Sequence, residues 1–241
     1  MGMKIIIEDD EQIDFTKHVF VTGFHGVGWT GYIAIRHIIK TANAKKRIGY
    51  IIGDRIPDII SIEDEQLILP FEFYKFKQFI IFQPPFQPFF TEQQSIISEL
   101  ARWIVSSKFK EVILIGGLDI RFQQDEQELR IIPTRAFLDK AKRYGYAFLE
   151  KGLLVRGPLA LLLAHLEVLK FPALVILPYA RSDRPDPAAA AVAINFLNTY
   201  YELNVSISQL QTDAQRIEEE IEEILRQERE QTERGPKDMY I

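Results

Sequence analysis

Gly26-Val27-Gly28-Trp29-Thr30-Gly31 is the sharpest chemical pattern in this 241-residue chain, a full GxGxxG between an apolar, β-branched run and a helical pattern. In a dinucleotide site, glycines at this spacing let a pyrophosphate approach the backbone and the N-terminus of the next helix. An acid at the end of the following strand then holds a ribose hydroxyl. Asp54 stands at that place, twenty-three residues beyond Gly31. Gly26, Gly28, Gly31 and Asp54 thus define one candidate site, that of a dinucleotide- or nucleoside-binding enzyme. Trp29 and Thr30 oppose it by placing bulk inside the turn, and Arg55 beside Asp54 complicates the ribose role. The same glycines also serve tight strand-to-helix packing. A P-loop is excluded, because no Gly-Lys-Ser/Thr follows.

No other residues assemble a catalytic set. His18, His25, His37 and His165 lack metal-ligand spacing, and only His25 falls in the glycine turn. Ser182, Asp183 and Asp186 sit in a Pro-rich loop without a GxSxG elbow. Cysteine is absent, which excludes disulfides, thiolate zinc sites and a cysteine nucleophile together. The sequence alone therefore shows no active site, and it assigns no catalytic residue, no metal and no cofactor. Residues 205–241 hold ten acids against five bases, whereas the remainder carries twenty-four of each. A neutral body without a basic stripe argues against a nucleic-acid partner. Lys4-Ile5-Ile6-Ile7 is far too short for a signal peptide and no apolar run reaches a membrane span, so the expected location is the cytoplasm, with no membrane partner. Abundant Ile, Glu and Lys with few Met would suit a hot environment.

The elements that must carry the glycine turn follow from periodicity. Residues 18–22 read as a buried strand, 30–41 as a helix and 47–52 as a second strand, a βαβ unit. Residues 59–62, 67–69, 71–76 and 79–82 read as strands in a hairpin region, closed by the Pro84-Pro85-Phe86-Gln87-Pro88 breaker. With Thr91 as N-cap, 94–107 gives a helix, and 111–115 a strand stopped by Gly116-Gly117. Residues 121–130 are polar and charged and predict a mobile loop; 134–144 predicts a short helix, 153–155 a strand, 158–169 a helix with Pro158 in its first turn, 173–177 a strand and 188–201 a helix. Alternating strands and helices with continuous apolar runs predict an α/β fold, a mostly parallel sheet flanked by helices. One core domain over 1–204 is expected, then a heptad helix over 205–234 and a tail over 235–241.

In that helix Ile207, Leu210, Ala214, Ile217, Ile221 and Ile224 are spaced three, four, three, four, three, amid glutamates. Such a narrow seam serves either self-association or packing along the helix's own domain. Gly235 and Pro236 then end the helix. Beyond them, Met239-Tyr240-Ile241 resembles the hydrophobic-Tyr-any motif of proteasome activators and assembly factors. That resemblance implies docking into pockets between proteasome α subunits, with a lysine facing the Ile241 carboxylate, a known mode of C-terminal capture.

A second resemblance covers the body. The turn from Gly23 to Gly31 with Tyr32-Ile33-Ala34, the strand ending Gly53-Asp54 with Ile56-Pro57-Asp58 behind it, and Gly116-Gly117 look like the proteasome-assembly-chaperone family. So do Arg156-Gly157-Pro158 before a leucine-rich helix, and Pro185-Asp186-Pro187-Ala188-Ala189-Ala190 before the last core helix. Together they span roughly Val19 to Leu225. The resemblance implies an archaeal-type homologue with a phosphorylase-like α/β core and no catalysis, engaging the α subunits of the proteasome core particle as a homo-oligomer. A homotetramer is expected among low orders.

Overall fold

The computed structural model describes residues 3–8, 13–41, 46–53, 60–63, 66–84 and 90–216. Asp54, Ile217, Ile221, Ile224, Met239, Tyr240 and Ile241 lie outside them. In order, the chain forms β1 (Lys4–Ile7), β2 (Val19–Gly23), α1 (Thr30–Thr41), β3 (Arg47–Ile52), β4 (Ser61–Glu63), β5 (Gln66–Ile68), β6 (Glu72–Phe76) and β7 (Phe79–Gln83). There follow α2 (Phe90–Ser106), β8 (Glu111–Ile115), β9 (Leu118–Asp119), β10 (Leu129–Pro133), α3 (Leu138–Lys142), α4 (Pro158–Val168), β11 (Ala173–Ala180) and α5 (Pro187–Tyr201).

The most apolar strands are central because only there is backbone buried on both faces. Strand order is β1-β3-β6-β7-β2-β8-β11-β10, with β9 pairing the end of β11 and β4-β5 forming a separate hairpin. The pairings β7/β2, β2/β8 and β8/β11 are parallel, with Val19 opposite Phe79 and Glu111, and Val112 opposite Ala173. Antiparallel strands flank this centre, β6, β3 and β1 on one side and β10 on the other. α1 connects β2 to β3 as expected, but the β6-β7 hairpin is inserted between those two strands.

Period-two alternation divides the core in two. Val19, Val21, Ile113, Ile115, Leu174 and Ile176 face α1 and α5, whereas Phe20, Val112, Leu114, Val175 and Leu177 face α2 and α4. Helices therefore cover both faces, and the expected α/β class holds.

Four local readings change. Lys4–Ile7, met only as an N-terminal apolar run, is an edge strand on β3. α2 starts at Phe90, so Thr91 lies in its first turn instead of capping it. The predicted loop over 121–130 ends inside β10, where Arg130 is only 2% exposed. Its charge hid the strand, yet that charge is matched: Arg130 Nε donates to Glu150 at 2.7 Å, Nη2 to Asp125 at 2.8 Å, and the guanidinium lies 5.3 Å from the Tyr179 ring centroid. Leu153-Leu154-Val155 is not a strand. β11 already has β8 and β10 on its two sides, and the apolar run instead walls a cavity at the end of the sheet.

Candidate functional site

The glycine turn follows the carboxyl end of β2, and Gly116-Gly117 follow the carboxyl end of its parallel neighbour β8. From β2 the chain departs towards β3 on one side of the sheet; from β8 it departs towards β10 and β11 on the other. Open α/β sheets bind ligands at such a divergence, because the two loops part and leave a crevice.

Most of the crevice is filled by protein. A Cβ on Gly31 would lie 2.2 Å from the Ile115 carbonyl oxygen, and one on Gly117 2.4 Å from that of Val27, so loop, helix and strand meet backbone to backbone. Gly28 has φ +60°, the left-handed region that glycine adopts without steric cost, and a Cβ there would strike Ala180 and Asp186. Its carbonyl accepts the Asp186 N–H at 2.8 Å. Asp186 in turn accepts from Ala189 N at 3.0 Å, capping α5, and from Arg181 N at 2.9 Å. The motif Pro185-Asp186-Pro187 is thus a helix start that clasps the glycine turn. Two of the three predicted nucleotide glycines, Gly28 and Gly31, hold packing contacts where a pyrophosphate would need space. Only Gly26 faces open space, with nothing within 4 Å of a Cβ.

Beside Gly26 lies a cavity of about 390 Å³. Phe24, Leu118, Phe122, Leu153, Leu159 and Leu177 supply apolar wall, and His25, Asp119 and Arg156 its charged or polar groups. The His25 ring is held by Tyr32, stacked at 3.9 Å between centroids, and by the edge of Trp29 at 5.5 Å. Burial lowers the His25 pKa below its ordinary 6.5, and the ring is neutral near pH 7. Trp29, with φ +50°, is 49% exposed and points out of the turn instead of filling it. Asp119 is engaged: Arg121 donates to it through Nε at 3.0 Å and Nη2 at 2.6 Å, and these bonds hold its carboxyl far below the usual carboxylate range. Among the described residues no group of three or more His, Asp or Glu side chains could hold a metal ion.

The seam residues begin on the core. Leu210 is buried and Ile207 packs beside it, in the cluster that includes α1 and α5. His37 on α1 donates from Nε2 to the Ser206 carbonyl at 2.7 Å and anchors this exit. Residues 208–216 are helical, with Ala214 half-buried. Arg156-Gly157-Pro158, noted in the sequence only as a pattern, proves to be cavity wall; its spacing from the glycine turn concealed this.

A helix-covered α/β sheet with a backbone-packed glycine turn at its divergence point defines the class. The family model described as PAC2 family matches residues 20–225, and the chain belongs to that family. It is 29% identical over 251 residues to the uncharacterized protein MJ0106 of Methanocaldococcus jannaschii, covering 100% of this chain and 99% of the other. The monoclinic crystal structure of Pyrococcus furiosus PbaA, an archaeal homolog of proteasome-assembly chaperone, matches with TM-score 0.78 and 26% identity over 100% of both chains. Pyrococcus furiosus PbaB, an archaeal proteasome activator, matches with TM-score 0.75 over 92% of this chain and 98% of its own. At 18% identity that likeness bears on fold alone.

Proposed function

We propose that this chain is a non-catalytic proteasome-binding protein, an assembly chaperone or an ATP-independent activator, working in the cytoplasm as a homo-oligomer. Its similarity to PbaA over the whole of both chains is the observation that carries the reading. The glycine turn supports it, since Gly28 and Gly31 are committed to packing and leave the dinucleotide reading without a phosphate cradle.

In this reading Met239, Tyr240 and Ile241 are the contact with the α subunits of the core particle. Tyr240 supplies an aromatic anchor with a hydrogen-bonding tip, Met239 an adaptable apolar contact, and the Ile241 carboxylate the charge. A three-residue anchor binds weakly alone. Several copies on one oligomer make the later docking events intramolecular and raise avidity by about a hundredfold or more. The proposed seam for self-association is Ile217, Ile221 and Ile224, because Ile207 and Leu210 are spent on the chain's own core.

The test is to mix the intact protein with archaeal proteasome core particles, follow co-elution by size-exclusion chromatography and assay peptide hydrolysis by the core particle. Co-elution with faster hydrolysis is expected of an activator, and binding to free α subunits without faster hydrolysis of a chaperone. Failure to associate with either core particles or α subunits defeats the proposal.

A further inference from the structure

The cavity beside Gly26 is not used by the proposed docking tail, and its chemistry is specific enough to name a ligand class. It sits at the divergence of β2 and β8, where open α/β sheets bind small molecules, and its volume of about 390 Å³ is in the range of ligand pockets. Its walls are mainly apolar side chains, and main chain is presented by Gly26, Gly116, Gly117 and Gly157.

The polar groups on it are unequal. Asp119 is already neutralised by Arg121. Arg156 is exposed on the rim, and among the described residues no acid pairs with it. His25 lines the wall with a ring whose Nδ1 is buried out of reach of solvent, so that atom offers a ligand no contact. α4 begins at the same wall: Gly157 offers no side-chain cap, Pro158 occupies the first turn, and the positive end of an eleven-residue helix faces the cavity. The net demand is for one negative charge attached to an apolar body.

We propose that this cavity binds a small organic acid with an aromatic or branched apolar body. Its carboxylate lies between Arg156 and the first turn of α4, and the body packs on Phe122, Leu153, Leu159 and Leu177. No bond is made or broken; the site is for binding. It lies apart from the tail, so its occupancy is measurable without core particles, and its failure leaves the proteasome reading untouched.

Calorimetric titration of the full chain with 3-phenylpropionate, and with the uncharged 3-phenylpropionamide, tests this. The acid should bind saturably and the amide about tenfold more weakly, the worth of one charge-assisted hydrogen bond. Arg156→Gln, on an exposed rim, should bring acid and amide to equal affinity. Gly26→Phe, directed into open space, should weaken both. No saturable heat from the acid, equal binding of acid and amide by the unaltered protein, or unchanged discrimination in Arg156→Gln would overturn the assignment.

Discussion

A methyl group at Gly31 would stand 2.2 Å from the Ile115 carbonyl oxygen, with backbone on both sides and nowhere to yield. At Gly26 the same methyl meets nothing within 4 Å. Gly31→Ala should therefore destabilise by about 2–3 kcal/mol or more, as overpacking does, and Gly26→Ala should be nearly neutral. Urea midpoints of the two variants check this; equal midpoints would mean that the glycines are not held by packing. The sequence showed the spacing of these residues but not their neighbours, which come from β8 and from the loop before α5. Asp186 and Gly28 are a hundred and fifty-eight residues apart, and no local pattern announces their contact. Arg130 was illegible for a related reason: its partners Asp125 and Glu150 lie on loops, and the sequence shows only a run of charge. Hydrogen bonds from Arg130 lower the pKa of Glu150 below its ordinary 4.5 and that of Asp125 below 3.8. Groups depressed in the folded state stabilise it above their unfolded values and lose that contribution as pH falls through the folded ones. Stability should thus decline below about pH 4.5, and Arg130→Met should flatten that decline, read as urea midpoints between pH 7 and pH 3. An unchanged acid slope would remove Arg130 from the account.

The elements were legible where burial imposes a period and illegible where tertiary pairing overrides one. α1, α5 and the central strands follow from apolar spacing, whereas Leu153-Leu154-Val155 has a strand's composition with no free edge to join. Leu154 is 78% exposed, the mark of a run that no ladder took up. The start of α5 shows how one residue links elements. Asp186 caps the helix through Ala189 N and fastens the loop through Arg181 N, while its own N–H holds Gly28. Asp186→Ala should cost about 1–2 kcal/mol, the range of a lost N-cap, and Asp186→Asn, which keeps an accepting oxygen, less than half of that. Thermal or chemical denaturation measures both. If Ala and Asn are equally mild, the clasp contributes nothing and the motif needs another explanation.

For the whole molecule, the α/β class and the family were legible because motifs from Gly23 to Ala190 recur in one order along the chain. The cavity was not, since its walls come from four separate segments. Where the chain leaves the core is set by Leu210 and His37, and over residues 211–216 exposed positions outnumber half-buried ones. We expect light scattering to give a multiple of the chain mass, four by our reading, and a stable monomer at micromolar concentration would contradict that.

The proteasome reading is tested most directly by surface plasmon resonance on immobilised core particles with three forms of the tail. Removing Met239 to Ile241 should abolish binding while leaving folding and oligomer size intact. Tyr240→Ala should weaken each contact by about 2 kcal/mol, roughly thirtyfold, multiplied across the oligomer. One residue added after Ile241 keeps every side chain but displaces the carboxylate, and should behave like the deletion. If the truncated protein binds core particles as tightly as the intact one, the tail is not the docking element.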